Sequence, residues 1–288
     1  MPDFFRSLCA AGLAALVLLG CQPDAPEADA PPETPPPVDF TPPPLANHAD
    51  SVAFRLTEGH GGLGTFAATP YLGFSFAVER EGTAGQPMRH LWNRRTGDYR
   101  LESGPGEEPY VTLFNVNTRA GEVFFGGARI DSSQQAEKLE EAYGRFINDS
   151  YWLLAPLKVF DEGVTRTYVA DSSGGAHDVL RLTFDGVGLT PGDTYWLYVN
   201  KETGRLDRWA YVLERDPDAP PRVWDWVDVQ RLDTGAGPLF LATRKSRPDA
   251  PFAILTGSLR TPTAVPPDLF TDPQPRLARF LADPEAGE

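Results

Sequence analysis

The sequence predicts a mainly β protein, built on one large curved antiparallel sheet of roughly a dozen strands with two helices on one side. Three observations carry that expectation. From Tyr71 onward, apolar residues recur with period two in one run after another. The connections between runs are short and glycine-bearing, as in Thr190-Pro191-Gly192-Asp193 and Lys201-Glu202-Thr203-Gly204, and such turns join antiparallel neighbours. No βαβ rhythm and no internal repeat interrupts the pattern. With 288 residues, 41% of them hydrophobic, the chain can fill one large or two small domains with a sizeable core.

The N-terminal stretch stands apart from that sheet. Residues 1–20 read as a signal peptide: the apolar run from Leu8 to Leu19 is too short to span a bilayer, and Arg6 precedes it. Leu18-Leu19-Gly20-Cys21 resembles the bacterial lipobox, which makes Cys21 the expected lipidation site. Gln22 in place of an aspartate points to the outer membrane. Cys9 would leave with the signal peptide, so the mature protein would carry no thiol, disulfide or cysteine metal site. Residues 21–45 then form a proline- and acid-rich linker. It cannot bury apolar area, and Gln22 to Pro44 extended as polyproline would reach roughly 70 Å.

Residues 46–275 are the expected folded domain. "ANHADSVAFRLTEGHGG" reads as a short amphipathic helix stopped by Gly61 and Gly62. "LGFSFAV" follows as a strand with Leu72, Phe74, Phe76 and Val78 on one face. "RHLWNRRTGDYRLE" makes two strands about a turn at Thr96-Gly97-Asp98, and "YVTLFNV" and "EVFFGG" are further strands. One clear helix interrupts them, "DSSQQAEKLEEAYGRFIND". Ser132 and Gln135 read as a capping box, and a stripe through Ala136, Leu139, Tyr143, Phe146 and Ile147 reads as its core face. "DSYWLLAPLKVFDEGV" reads as an irregular apolar segment, with Pro156 barring helix and Gly163 turning the chain. Seven strands follow: "TRTYVA", "HDVLRLTF", "TYWLYVN", "RLDRWAYVLE", "RVWDWVDVQRL", "LFLATRKS" and "FAILTGSL". A proline-broken return leads to an acidic tail at 276–288.

Charge and motifs narrow the function. A formal net charge of −14 repels phosphate backbones, which argues against nucleic acid, and gains nothing from an anionic membrane surface. Gly59 to Gly64 matches G-x-G-x-x-G in an inverted helix-then-strand context, so it reads as a helix stop. His48, His60, His90 and His177 show no metal-ligand spacing, and no G-x-S-x-G elbow occurs. Asp225 and Asp228 are an odd number apart on one strand and would face opposite ways. Arg94, Arg95 and Arg100 read as exposed hairpin charges or an anion patch. No catalytic constellation, metal site or cofactor is expected, and the chain reads as a non-enzyme.

Aromatic surface is abundant instead. Several strands are apolar on both faces, whereas a sheet with one wet face alternates apolar and polar. Either the core is thick, or the sheet curves round an apolar ligand site. Trp152, Leu154, Trp196, Tyr198, Trp209, Tyr211, Trp224 and Trp226 are the candidate pocket or core residues.

The order "NDSYWLLAPLKVFDEGV", "FDGVGLTPGDTYWLYVNKETGRLDRWAYVLE" and a closing "VPPDLFTDP" resembles the LolA/LolB-like lipoprotein-localisation superfamily, in its branch of uncharacterised outer-membrane lipoproteins. The resemblance covers roughly Ala46 to Pro273. It implies a strongly curved, unclosed antiparallel half-barrel of about 11–12 strands with helices covering its concave face. In the carriers that hollow holds a lipoprotein's acyl chains. Two expectations follow. The first is a lipid-anchored protein of the outer membrane, facing the periplasm, that binds an acyl chain or other apolar ligand. The second is a non-catalytic envelope scaffold whose core is full.

Overall fold

A computed structural model describes residues 40–104, 108–186 and 190–282. The expected signal peptide, the expected lipidation site Cys21, most of the proline-rich linker and the last residues of the acidic tail lie outside the described residues.

The first helices are α1 (His48–Gly59) and α2 (Leu63–Ala68). Next come β1 (Tyr71–Arg80), β2 (Thr83–Ala84), β3 (Met88–Asn93), β4 (Asp98–Ser103), β5 (Tyr110–Asn115), β6 (Gly121–Phe125) and β7 (Ala128–Arg129). Helix α3 (Ser132–Leu154) divides these from β8 (Val164–Tyr168), β9 (His177–Phe184), β10 (Thr194–Asn200), β11 (Leu206–Val212), β12 (Arg222–Thr234), β13 (Gly237–Ser246) and β14 (Phe252–Arg260). A short helix, α4 (Leu277–Ala282), follows.

All fourteen strands belong to one antiparallel sheet, in the order β7-β6-β5-β4-β3-β1-β14-β13-β12-β11-β10-β9-β8, with β2 attached to β1. The sheet does not close, because its two ends, β7 and β8, do not pair. These edge strands flank α3 in sequence, so α3 carries the chain from one edge to the other. On the way it contacts β5, β6, β13 and β14. That path lays the helix across the inner face of an unclosed half-barrel.

Helix α3 differs from its expected form at both ends. Its N-cap is Asp131, whose carboxylate accepts from the Ser133 N–H at 2.9 Å. Gln135 does not serve a capping box. Its amide accepts from the Val123 N–H (2.9 Å) and donates to the Val123 carbonyl (3.0 Å), behaving as a strand neighbour of β6. At the other end the helix runs on through Tyr151, Trp152, Leu153 and Leu154, which the sequence reading left irregular. Pro156 stops it only there, in a 3₁₀ turn over Ala155–Leu157. Packing of the apolar face outweighs the modest helix propensity of tyrosine and tryptophan.

Helix α1 ends at Gly59, where it meets the β10–β11 turn. A Cβ on Gly59 would lie 2.5 Å from the Gly204 backbone, so only glycine lets the two chains approach so closely. His60 follows, fully buried. Its Nδ1 donates to the Phe240 carbonyl at 2.6 Å and its Nε2 accepts from the Leu206 N–H at 3.1 Å, which fixes the neutral ring. Burial, the largest cause, lowers its pKa to about 4.

The outer face of β1, β3 and β4 is covered by the C-terminal segment. Leu91 is buried there with Leu269, Leu277, Phe280 and Leu281. Gly73 leaves room for Leu281, whose Cδ2 would sit 2.7 Å from an added Cβ. The folded structure therefore continues past residue 275, into the start of the expected tail. Arg100 is not an exposed hairpin charge. It is completely buried, donating to Glu102 (2.8 Å) and to the carbonyls of Leu269, Asp272 and Gln274. Glu102 accepts in turn from the N–H groups of Arg276 and Leu277 at the start of α4. Arg94 is mostly buried too, donating to the Phe66 and Thr69 carbonyls, and burial lowers its pKa to about 10.

Candidate functional site

Alternation decides which side chains face α3. On β10, Leu197 and Val199 belong to the main inner core and Tyr195 packs against it, so Trp196 and Tyr198 point to the outer face. Both are half-buried there, with Tyr198 edge-on to His177 at 6.3 Å. These two candidates are therefore not on the same face as the others.

The inner face carries cross-strand rows. Leu180, Leu197, Trp209 and Trp224 are successive partners across β9 to β12, and Leu182, Tyr195 and Tyr211 form the adjoining row. Trp152 of α3 inserts between the indoles. Its ring centroid is 4.6 Å from that of Trp209 and 4.8 Å from that of Trp224, both edge-to-face. Trp209 meets Trp226 in the same manner at 5.2 Å. The Nε1 groups of Trp209, Trp224 and Trp226 have no hydrogen-bond partner among the described residues. Edge-to-face packing of this kind tolerates a donor against a ring face.

This cluster is not solid. A cavity of about 510 Å³ opens between α3 and the strands. Tyr151, Trp152, Phe184, Tyr195, Trp209 and Tyr211 wall it, with Ile147, Leu213 and Asn148 beside them. Burial raises the hydroxyl pKa of Tyr151 and of Tyr195, so both stay neutral. Among the eight candidates, Trp152, Trp209 and Tyr211 reach this cavity. Leu154, Trp224 and Trp226 are buried in the packed core beside it.

The mouth is polar. Asp193, itself buried, accepts from the Thr190 hydroxyl (2.6 Å) and the Glu214 N–H (2.9 Å), tying together the two loops that frame the opening. Glu214 accepts from the Gly192 N–H at 3.2 Å, and Arg215 is exposed beside it.

Two buried polar groups on the inner face have no counterpart in the motif reading. His90 stacks on Phe74 at 4.3 Å, and its Nδ1 is 2.8 Å from the Tyr99 hydroxyl. Its Nε2 lies 3.4 Å from the Asp149 carboxylate of α3, and both residues are wholly buried. This contact positions α3 on the sheet and is closed to solvent. Lys245 is also wholly buried, donating to the Ala242 carbonyl and the Thr256 hydroxyl, each at 2.6 Å, under the Trp226 ring. Burial pushes its amine well below the ordinary lysine range. Asp149 is distant from His90 in sequence, and no motif spacing marks Lys245 with Ala242 and Thr256, so spacing gave no sign of either group.

No protein-family model matches the chain, and no curated protein matches it. The chain is similar to several solved structures at low identity. One of them is a LolA superfamily protein. It comes from Nitrosomonas europaea, with 13% identity and a TM-score of 0.44, over 79% of this chain and 99% of its own. A DUF1329 family protein from Desulfovibrio piger shows 13% identity and a TM-score of 0.43, over 76% and 94%. An outer membrane lipoprotein-sorting protein domain from Vibrio parahaemolyticus shows 9% identity and a TM-score of 0.39, over 81% and 97%. Among the described residues, no helix is long and apolar enough to cross a membrane.

Proposed function

We propose that this chain is a lipid-anchored protein of the bacterial envelope that binds an acyl chain or another apolar ligand between α3 and strands β9 to β11. One observation carries the reading: about 510 Å³ stands open inside an aromatic cluster, walled by six rings. Protein interiors are otherwise close-packed, and voids of this size and chemistry serve as ligand sites. Binding there requires no covalent step and no cofactor. Each methylene withdrawn from water would contribute about 0.8 kcal/mol. The partner is a lipid or the acyl chain of a lipoprotein. Lipid on Cys21 would hold the domain to the outer membrane, on its periplasmic side, through the proline-rich spacer.

The test uses the full chain carrying Cys21→Ser, purified and extracted with organic solvent. Mass spectrometry of the extract should show a bound lipid, and the emptied protein should enhance the fluorescence of an environment-sensitive apolar dye. Extracts without lipid, together with no dye response, would leave only the scaffold reading. The packed surroundings of Leu154, Trp224 and Trp226 favour that second reading. The anchor is tested separately: Cys21→Ser should move the protein out of the membrane fraction, and persistence there removes the anchor from the proposal.

A further inference from the structure

One stripe of α3 passes through two cavities of different chemistry. Lys138, Glu141, Arg145, Asn148 and Trp152 follow one another at three- and four-residue steps, so they stack along one face of the helix. From Lys138 to Trp152 the stripe covers about 21 Å. Its first three members line a second cavity, of about 530 Å³, with the hydroxyl-bearing Ser103, Tyr110 and Thr112 opposite. Trp152 lines the aromatic cavity. Asn148 lines both, so the two spaces flank the same residue. Along one helix face the lining thus changes from cation to amide to indole.

The charge there runs against the rest of the chain, whose net charge is −14. In the second cavity two cations stand against one carboxylate. Glu141 already holds Lys138 at 2.8 Å. Arg145 is exposed and has no ion-pair partner among the described residues. The mouth of the aromatic cavity has the opposite balance, with Asp193 and Glu214 against Arg215.

We propose that the two cavities receive a single anionic amphiphile, its hydrocarbon in the aromatic cavity and its charged head at Arg145, passing Asn148 between them. This rests on the aromatic cavity being a hydrocarbon site, and it adds the head group and the direction of the ligand.

The experiment is a competition on the full Cys21→Ser chain, with an apolar dye displaced by laurate or by dodecanol at low ionic strength. The two ligands differ only in the head, so the comparison isolates its charge. Laurate should displace the dye at about a fivefold lower concentration, the scale of an exposed ion pair. Raised salt should shrink the difference. Arg145→Glu should abolish the preference while leaving dye binding intact, and Lys138→Glu should weaken it. Arg215→Glu should leave it unchanged. Equal potency of the two ligands in the parent chain overturns the proposal, as does a preference that survives Arg145→Glu or is lost in Arg215→Glu. Absence of dye binding altogether overturns the hydrocarbon site itself, which separates the two failures.

Discussion

On the inner face of β9 to β11, aromatic side chains surround a cavity of about 510 Å³, with Tyr151 and Trp152 of α3 inserted from above. On the outer face of β1, β3 and β4, Leu91 lies completely enclosed, and Arg100 and Glu102 are saturated with partners from residues 269–277. Both regions are buried strand surfaces covered by helix. In the outer one the covering segment seals Leu91 and the Arg100–Glu102 pair from solvent, and a glycine at position 73 admits Leu281 against the backbone. In the inner one a rigid helix spans wide rings and leaves room. Apolar residues on both faces of a strand therefore announce that something covers them, but not whether the cover fills the space.

Variants can break this contrast. The largest effect belongs to the outer clasp. Arg100→Leu strands three backbone carbonyls and leaves Glu102 without its cation, so it should cost about 3–5 kcal/mol in urea unfolding. It should also expose the C-terminal segment to proteolysis without weakening dye binding. Within the inner region, Trp226→Ala should cost about 3–5 kcal/mol because Trp226 is packed all round. Trp152→Ala, beside an existing cavity, should cost about 2 kcal/mol and yet change dye binding most. Equal costs for the two would show the cavity to be closed in solution.

A pH scan reports on the inner side through His60. Its folded pKa is about 4 against an ordinary 6.5, so the unfolded chain takes up the proton first. Stability should be complete above pH 6.5 and fall as pH drops towards 4, by about 3 kcal/mol in all. His60→Leu should flatten that part of the curve in denaturant titrations. The smallest effect is a gain. Lys245 titrates well below its unfolded pKa, so the unfolded chain binds the proton as pH falls below the ordinary lysine range. At neutral pH Lys245 therefore costs stability, and Lys245→Met should raise the unfolding free energy in urea titrations by about 1 kcal/mol.

The strands were legible because period-two patterning is local, and Trp152, Trp209 and Tyr211 stood out by their bulk. The face on which Trp196 and Tyr198 lie could not be assigned from composition, since "TYWLYVN" is apolar on both sides. Only the partners of Leu197 and Val199 decide it. Gln135 looked like a cap because capping boxes are local, but a strand backbone outside the helix offered it better partners. Arg100 and His90 were illegible for a stronger reason. Arg100 bonds Gln274, 174 residues away, His90 meets Asp149 on a different element, and neither neighbourhood carries any mark of the contact.

The order of the strands bears on how the chain reaches this structure. β1 to β7 and β8 to β14 are two runs of neighbouring hairpins, each able to form from nearby residues. They share a single seam, β1 against β14, where Gly73 meets Arg260. Closing so long a loop is entropically the most demanding event in the sheet. We expect the seam to zip late in refolding, which would make β1 and β14 transiently bare edges. Dilute conditions during refolding should then matter more for this protein than for one whose sheet closes hairpin by hairpin.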